Sequence, residues 1–297
     1  MNNIVVTRWE DLRGLVDGAK KHRDAVERYL STHAGVLYYG DSWFSTPLYP
    51  NLARQSAAAI DGLRMIVGKP GAQAADLLAP AAVARLADRV RNNPFDVVCI
   101  SAGGNDVLSD RLKAGFRPWM ESSQPHIDAK QAFDRILDQG FFQRLVDRYD
   151  RCLVEFAKIN RGERWLRVVG HTYAPPQRIG VAGDLTIDNI GLIAILKDDV
   201  GPWLYGPMKR VLPDVAEARK FARLLLVDGF RDLVMKPMAQ KHQGFFSYAD
   251  LSGVDLVDDR AWYDEIHPTA GGFAKLSPTL NACIRGSVPA DKRGSVG

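Results

Sequence analysis

The chain has 297 residues, of which 46% are hydrophobic and 25% charged, and its formal net charge is +4. These proportions are typical of a soluble globular protein, and the length fits one α/β domain with a large core. Lysines and arginines are interspersed with acids, without the basic block that binds nucleic acid or a membrane surface. No stretch is long and apolar enough to span a bilayer. We therefore expect neither a nucleic-acid partner nor a membrane span.

The three cysteines, Cys99, Cys152 and Cys283, form no CxxC pair and are odd in number. Cys99 and Cys152 lie in apolar stretches, where a cysteine most often serves as a small buried hydrophobe. This usage indicates a reducing compartment. Only the short apolar piece at residues 4–6 precedes the first charges, which is not the pattern of a signal peptide. We expect a cytoplasmic protein, although a chain whose signal had been removed would look the same.

The first hundred residues alternate between helix and strand patterns. Apolar spacing predicts a helix over 8–31, a strand at 35–40, a helix over 51–62, a strand at 64–68 and a helix over 74–90. The run Val97–Ile100 is continuously apolar, which is typical of a parallel strand covered on both faces. Three strand–loop–helix units in succession predict an α/β fold, with a parallel sheet flanked by helices.

The pattern continues less regularly in the second half. We predict helices near 141–160 and 214–241, strands within 164–171 and 245–257, and a closing helix over 268–284. Two stretches, 109–130 and 175–213, break the rhythm and are expected to be irregular inserts, which are usually functional or mobile. The predicted organisation is a helical extension over 1–34, a main domain over 35–285 and a disordered tail over 286–297.

Three glycine-containing loops follow the first three strands of the predicted main domain. They read "GDSW", "GKPG" and "GGND". In an open parallel sheet, ligands bind beyond the carboxyl ends of the strands, where such loops meet. Glycine permits positive φ and lets the backbone approach a ligand closely. The sequence therefore predicts a binding or catalytic site at this edge.

Ser42 in "GDSW" is either part of an ordinary strand-to-loop turn or a nucleophile. A serine nucleophile needs a base, most often a histidine oriented by a carboxylate. Five of the six histidines lie in or beside predicted helices, in the first insert, or at a strand end. The sixth, His267 in "YDEIHPTAGG", follows Asp264 by three residues, so that Asp264 can reach Nδ1 and leave Nε2 for the serine. Glu265 is the neighbouring alternative, but adjacent side chains normally point in different directions.

The blocks "GDSW", "GGND" and "DEIHP" resemble, in this chain order, the motif blocks of the SGNH hydrolases, or GDSL-type esterases and lipases. The resemblance covers about residues 35–285. It implies a three-layer α/β/α sandwich of flavodoxin-like type, around a mainly parallel sheet of about five strands. It also implies hydrolysis of carboxylic esters through an acyl-enzyme, without a metal or an organic cofactor.

Carried over residue by residue, the resemblance implies a Ser42 nucleophile, a His267 base and an Asp264 that orients the histidine. It implies an oxyanion hole made of the backbone N–H groups of Ser42 and Gly71 and the side-chain amide of Asn105. Gly68 is a nearby alternative to Gly71.

Two further carboxylates, Asp41 and Asp106, each adjoin one of these candidates. Since carboxylates in turns usually cap backbone N–H groups, we expect both to be structural.

One departure from the family pattern concerns the substrate. The usual leucine after the serine is replaced by Trp43, followed by Phe44. This aromatic pair could line, narrow or cap an acyl pocket, or it could simply pack in the core. Aromatic residues of the two inserts could likewise form a substrate wall or serve as packing anchors. The candidate substrate-binding residues are Trp43, Phe44, Trp119 and Trp203.

Other chemistries find little support. The chain has no G-x-S-x-G elbow, no phosphate loop of correct spacing and no HExxH motif. The expected partner is a small-molecule, glycan or lipid ester, with short carboxylic esters as the first class to test. A carbohydrate O-deacetylase and a lipase or thioesterase stay open as alternatives. A non-catalytic binding protein on the same fold is the alternative from a different class.

Overall fold

Six parallel strands form one sheet in the order β1-β3-β2-β4-β5-β6. The computed structural model describes residues 5–16, 18, 20–45, 50–121, 126–160, 164–182 and 201–297. The strands are β1 (Val5–Val6), β2 (Ala34–Gly40), β3 (Gly62–Gly68), β4 (Val97–Ser101), β5 (Arg167–His171) and β6 (Phe246–Ala249). The predicted α/β class with a parallel sheet flanked by helices is confirmed.

The sheet has one strand more than the five expected. The additional strand, β1, consists of Val5 and Val6, which pair in parallel with Arg64 and Met65 of β3. It lies in the predicted helical extension over 1–34, before the predicted helix over 8–31, and the sequence did not predict a strand there. Two β-branched residues suffice here because β3 already offers a free edge for pairing.

Helices cover both faces of the sheet. They are α1 (Trp9–Val16), α2 (Lys20–Leu30), α3 (Ser42–Ser45), α4 (Leu52–Ala58), α5 (Ala74–Leu77), α6 (Pro80–Arg91), α7 (Ser109–Met120), α8 (Ala129–Asp138), α9 (Phe141–Ala157), α10 (Tyr205–Met208), α11 (Val215–Arg223), α12 (Lys236–Lys241) and α13 (Ala270–Ser287). Two π-helical segments, Leu224–Gly229 and Arg231–Met235, join α11 to α12. In the described ranges, no helix combines the length and apolarity needed to cross a membrane.

Two predictions for residues 74–130 need correction, one of a helix and one of an irregular insert. The single helix expected over 74–90 is divided into α5 and α6, because Pro80 starts a new helix and holds Ala79 in an extended conformation (φ −60°, ψ 141°). The stretch 109–130 is not irregular throughout, since α7 occupies its first half. Leu112 and Phe116, four residues apart on α7, are both buried and give this helix an apolar face.

The C-terminal tail is ordered against the sheet, so the predicted disorder of 286–297 is wrong. The Ser295 hydroxyl accepts a hydrogen bond from the Ala34 N–H (2.9 Å). The Ser295 carbonyl accepts one from the Asp61 N–H (2.7 Å). Lys292 forms an ion pair with Asp96 at 2.8 Å. The tail therefore supplies partners to backbone and carboxylate groups at the amino-terminal ends of the strands, which its polar composition did not reveal.

The strand order places the carboxyl ends of β2 and β4 side by side. After β2 the chain moves to β3 on one side, and it later returns to β4 on the other side. This reversal of direction is the topological switch point at which open α/β sheets bind ligands. Gly40 and Ser101, the last residues of β2 and β4, are paired in register. The loops that carry Ser42 and Asn105 therefore emerge next to each other.

We expect Lys292→Met to lower the free energy of unfolding by on the order of 3 kcal/mol, because it leaves the buried Asp96 carboxylate without its closest cation. Chemical denaturation at pH 7 measures this change. Lys158→Met is the matched control, since Lys158 pairs with Glu155 at a more exposed position. The control should cost less than about 1 kcal/mol. Equal effects of the two substitutions would contradict a structural role for the tail.

Candidate active site

The turn after β2 presents Ser42 at the carboxyl edge of the sheet. The Asp41 N–H continues the ladder by donating to the Ser101 carbonyl (2.9 Å), and α3 then starts at Ser42 itself. A Cβ at Gly40 would lie 2.6 Å from Ser101 Cβ, so only glycine permits this close approach of β2 to β4. Ser42 retains 7% exposure, enough for its hydroxyl to border a cavity.

A hydrogen-bonded chain runs from Ser42 through His267 to Asp264. Ser42 Oγ lies 2.7 Å from His267 Nε2, and His267 Nδ1 lies 2.8 Å from Asp264 Oδ2. Asp264 Oδ1 accepts the backbone N–H groups of Ile266 (2.8 Å) and His267 (2.7 Å). One carboxylate thus holds both the ring and the backbone of the histidine. With Nδ1 donating to Asp264, Nε2 is left to accept the serine proton.

The electrostatic surroundings of His267 favour a basic imidazole ring. Burial lowers the pKa of His267, but the charge and hydrogen bond of Asp264, with a further contribution from Asp41, outweigh it. The net result is a pKa raised above the ordinary value of 6.5. A histidine whose pKa is raised in this way is a stronger base for a serine proton, and its protonated form can return that proton as a general acid.

Trp43 connects the turn that carries Ser42 to the histidine loop. Its Nε1–H donates to the Ile266 carbonyl (3.2 Å), and its ring stacks on His171 at 5.6 Å. Tyr173 and Phe273 contact the same indole edge-on, at 5.0 and 5.3 Å. Trp43 is 4% exposed and also lines the cavity beside Ser42. The two roles weighed for it, core packing and pocket wall, are therefore both present in the structure.

Phe44 does not line this cavity and takes the second of the two roles considered for it, packing in the core. It is fully buried and packs against Tyr38 and His171. The reason is that α3 turns the side chain after Trp43 toward the sheet rather than toward the site.

His171 is not a second base for Ser42 in this arrangement. Its Nδ1 donates to the Thr172 carbonyl (2.9 Å), and Nε2 has no partner in the described part of the chain. Burial lowers the pKa of His171 to about 4, so the ring is neutral at physiological pH and acts as an aromatic support for Trp43.

Asn105 lies on a 3₁₀ turn, Gly104–Val107, directly after β4. The turn depends on Gly103, whose φ of +121° is unfavourable for any other residue. Asn105 Nδ2 donates to the Ala72 carbonyl (3.0 Å), which connects this turn to the loop after β3. Asn105 and Ser42 line the same cavity, so the structure brings these two predicted residues together.

Gly71 occupies a different kind of position. It has a φ of +72° in the turn Lys69–Ala72, where the Ala72 N–H donates to the Lys69 carbonyl (3.1 Å). Proline followed by glycine is typical of this turn geometry. Gly71 does not line the cavity beside Ser42, so its place in an oxyanion hole stays a prediction. The alternative, Gly68, has a packing role, since a Cβ there would lie 2.3 Å from the Gly40 carbonyl oxygen.

Asp41 and Asp106 make the contacts of structural carboxylates. Asp41 accepts hydrogen bonds from the Trp43 N–H (3.1 Å), Ser101 Oγ (2.7 Å) and Tyr173 Oη (3.1 Å). Burial raises the pKa of Asp41 to about 6, although these three donors act in the opposite direction. Asp106 Oδ2 accepts the N–H of Ala74, the first residue of α5, at 2.6 Å. Both carboxylates thus hold loops in place beside the candidate residues.

Glu265 has a structural role that sequence reasoning did not identify. It points away from His267, as its position beside Asp264 predicted, and it is fully buried. Its carboxylate accepts the backbone N–H groups of Gly180 (3.0 Å), Leu204 (2.6 Å) and Tyr205 (2.7 Å). These donors belong to both described parts of the second insert. Burial raises the pKa of Glu265 above its usual value, against the effect of the donors.

Two further contacts hold the insert against the histidine loop. Arg178 Nη1 donates to the carbonyls of Trp262 and Tyr263, each at 3.0 Å. The Trp203 ring meets the His267 ring edge-on, with centroids 5.6 Å apart. Trp203 therefore packs against the His267 ring, and its contact with a substrate stays a prediction. The side chain of Trp119, the fourth predicted substrate residue, and residues 183–200 of the insert lie outside the described residues.

No metal site accompanies this arrangement in the described ranges, since no group of three or more histidine, cysteine, aspartate or glutamate side chains is placed to hold an ion.

We expect Glu265→Ala to loosen the contact between the insert and the histidine loop. Three backbone N–H groups would then lose their acceptor, and for the buried N–H of Leu204 this loss costs about 1–3 kcal/mol. Hydrogen–deuterium exchange should become faster at the amides of Gly180, Leu204 and Tyr205. Glu10→Ala, at a carboxylate that is 72% exposed, is the control and should leave these amides unchanged. Unchanged exchange in Glu265→Ala would show that the insert is held by other contacts.

Comparisons with known proteins found neither a matching family model nor a matching curated protein. Among solved structures, the chain is similar to an extracellular lipase from Streptomyces rimosus, with a TM-score of 0.47 and 20% identity over 84% of this chain and 99% of that chain. It is also similar to a carbohydrate acetylesterase family member from Sinorhizobium meliloti, with a TM-score of 0.41 and 16% identity over 86% and 98% of the two chains. A phospholipase A1 from Streptomyces albidoflavus NA297 gives a TM-score of 0.45 and 16% identity over 84% and 99%.

The assignment to a fold depends on the chain's own topology. The parallel sheet between helices, the three motif blocks in order along the chain, and their convergence at one sheet edge all agree with the expected pattern. In fold and in motif order, this protein is similar to the SGNH hydrolases.

Proposed function

We propose that the protein is a serine hydrolase that cleaves carboxylic esters. The observation that carries this proposal is the continuous chain of hydrogen bonds from Ser42 Oγ to His267 Nε2 (2.7 Å) and from His267 Nδ1 to Asp264 (2.8 Å). These are the distances that a nucleophile, its base and the base's orienting carboxylate require. These three residues lie at the carboxyl edge of the sheet, and Ser42 borders a small cavity there.

The reaction begins with attack of Ser42 Oγ on the ester carbonyl carbon, while His267 Nε2 takes the hydroxyl proton. The tetrahedral intermediate collapses as His267 returns this proton to the departing alcohol oxygen, which leaves an acyl group on Ser42. Water then attacks the acyl carbon and gives a proton to His267. The second collapse releases the carboxylic acid and returns the proton to Ser42 Oγ.

Negative charge on the carbonyl oxygen needs donors that are already in position. The Ser42 backbone N–H and the Asn105 amide are the candidates that border the cavity. An amide nitrogen has two hydrogens, and Asn105 uses one of them to donate to Ala72, so the second is available for the oxyanion. Gly71 N–H is the proposed third donor. Loss of one such donor typically costs about 3–4 kcal/mol of transition-state stabilisation.

The rival from a different class is a binding protein that has kept the fold and lost the chemistry. It would predict a displaced serine or histidine, because nothing would then preserve their mutual geometry. The 2.7 Å distance between Ser42 and His267 favours the hydrolase.

We expect the wild type to hydrolyse p-nitrophenyl acetate, and Ser42→Ala and His267→Ala each to lose at least about 1,000-fold in kcat, because each removes an element of the nucleophile–base pair. Steady-state kinetics measure the loss. Ser31→Ala and His33→Ala are the matched controls. Both residues lie just after α2, away from the candidate site, and both variants should keep wild-type rates.

Equal rates in wild type and in the two site variants would show that the triad assignment is wrong. An inactive wild type would remove the simple-ester proposal, and acetylated glycans would be tested before a binding protein is accepted.

We expect kcat/KM to fall as the pH decreases through the pKa of His267, which lies above 6.5, because the protonated ring cannot accept the serine proton. In Asp264→Asn the charge and hydrogen bond that raise the His267 pKa most are lost, so this pKa should be lower than in the wild type. NMR titration of the imidazole signals in the two proteins measures the shift, with Asp258→Asn, at an exposed turn, as control. An unchanged His267 pKa in Asp264→Asn would contradict the proposed role of the carboxylate.

A further inference from the structure

The cavity beside Ser42 is small. Its volume is about 20 Å³, and beside Ser42 and Asn105 its walls include Trp43, Leu108, Tyr173, Pro176, Leu226 and Ile266. Two other clefts in the described part of the chain have about 280 and 480 Å³ by the same measure. The free space beside Ser42 is therefore small, and it is bounded mainly by apolar side chains.

The cavity lies on the side of Ser42 where the acyl part of the ester would bind. The departing alcohol oxygen must reach His267 Nε2 to receive its proton, so the alcohol part lies toward His267. Neither His267 nor Trp203, which contacts it, lines the cavity. Asn105, the candidate oxyanion donor, does line it. A carbonyl carbon at Ser42, with its oxygen toward Asn105, directs the acyl chain into this space.

Trp43 is a rigid wall. Its indole N–H is bound to the Ile266 carbonyl, and its ring is enclosed by His171, Tyr173 and Phe273. Moving the ring aside would break the hydrogen bond and open a gap in a packed aromatic cluster. Forcing extra methylenes into well-packed surroundings of this kind is costly. The wall therefore does not give way to a longer chain.

We infer that this pocket admits an acetyl group and rejects longer acyl chains, with Trp43 setting the limit. The inference rests on the proposed ester hydrolysis and names its substrate class, which is acetyl esters of small alcohols or glycans. Among the alternatives left open by the sequence, it favours O-deacetylation over lipase or long-chain thioesterase activity.

The experiment compares kcat/KM for the p-nitrophenyl esters of acetate, butyrate, hexanoate and octanoate. For the wild type we expect a fall of at least about 10-fold from acetate to butyrate, since a single methylene that a pocket cannot accept costs about 10- to 200-fold. Trp43→Leu and Leu226→Ala should each raise the butyrate-to-acetate ratio by about 10-fold or more. Trp43→Leu also removes the hydrogen bond to Ile266, whereas Leu226→Ala enlarges the cavity from another wall and leaves that bond intact.

Leu225→Ala is the matched control for Leu226→Ala. Leu225 is the preceding residue, is 1% exposed and does not line the cavity, so the same atoms are removed from the core without enlarging the pocket. The butyrate-to-acetate ratio of kcat/KM in Leu225→Ala should equal that of the wild type. If the wild type hydrolyses octanoate as well as acetate, or if both enlarging variants keep the wild-type ratio, the inference is overturned while ester hydrolysis stands. If no ester is hydrolysed faster than by Ser42→Ala, the proposed function itself fails.

Discussion

The geometry of the site depends on the carboxylate of Asp264. One of its oxygens binds the His267 ring, and the other binds the backbone of the loop that carries this histidine. Oδ2 accepts from His267 Nδ1, while Oδ1 accepts from the N–H groups of Ile266 and His267. Three donors stabilise a charge that is only 2% exposed. Without that charge, burial would lower the His267 pKa, and the ring would lose the contact that aims Nε2 at Ser42.

Several residues that take no part in the chemistry hold this loop. Trp43 binds the Ile266 carbonyl from the nucleophile turn, 223 positions earlier in the chain. Glu265 binds backbone N–H groups of the second insert on the other side. The loop is thus fixed both by the turn that carries Ser42 and by the insert. Because Trp43 also lines the cavity beside Ser42, the same ring contacts the histidine loop and bounds the space next to the serine.

This arrangement has a cost in stability. Burial raises the pKa of Asp41 to about 6 and raises that of Glu265, which means that both carboxylates are less favourably charged here than in water. Their backbone and hydroxyl donors offset part of this penalty. A core built for stability alone would place apolar side chains at these positions. Buried carboxylates with several donors instead fix the loops at defined distances, which a site of this kind requires.

The sequence by itself determined the α/β class, the parallel strands and the edge at which the candidate residues meet. These features depend on local patterns: apolar runs such as Val97–Ile100, and glycine turns directly after strands. Only the tertiary structure decided that Phe44 lies in the core, that the tail pairs with Ala34, that Glu265 anchors the insert, and that the cavity is about 20 Å³. The physical reason is that burial, hydrogen-bond partners and free volume are set by side chains far apart in sequence, as with Ser42 and His267, which are separated by 225 positions.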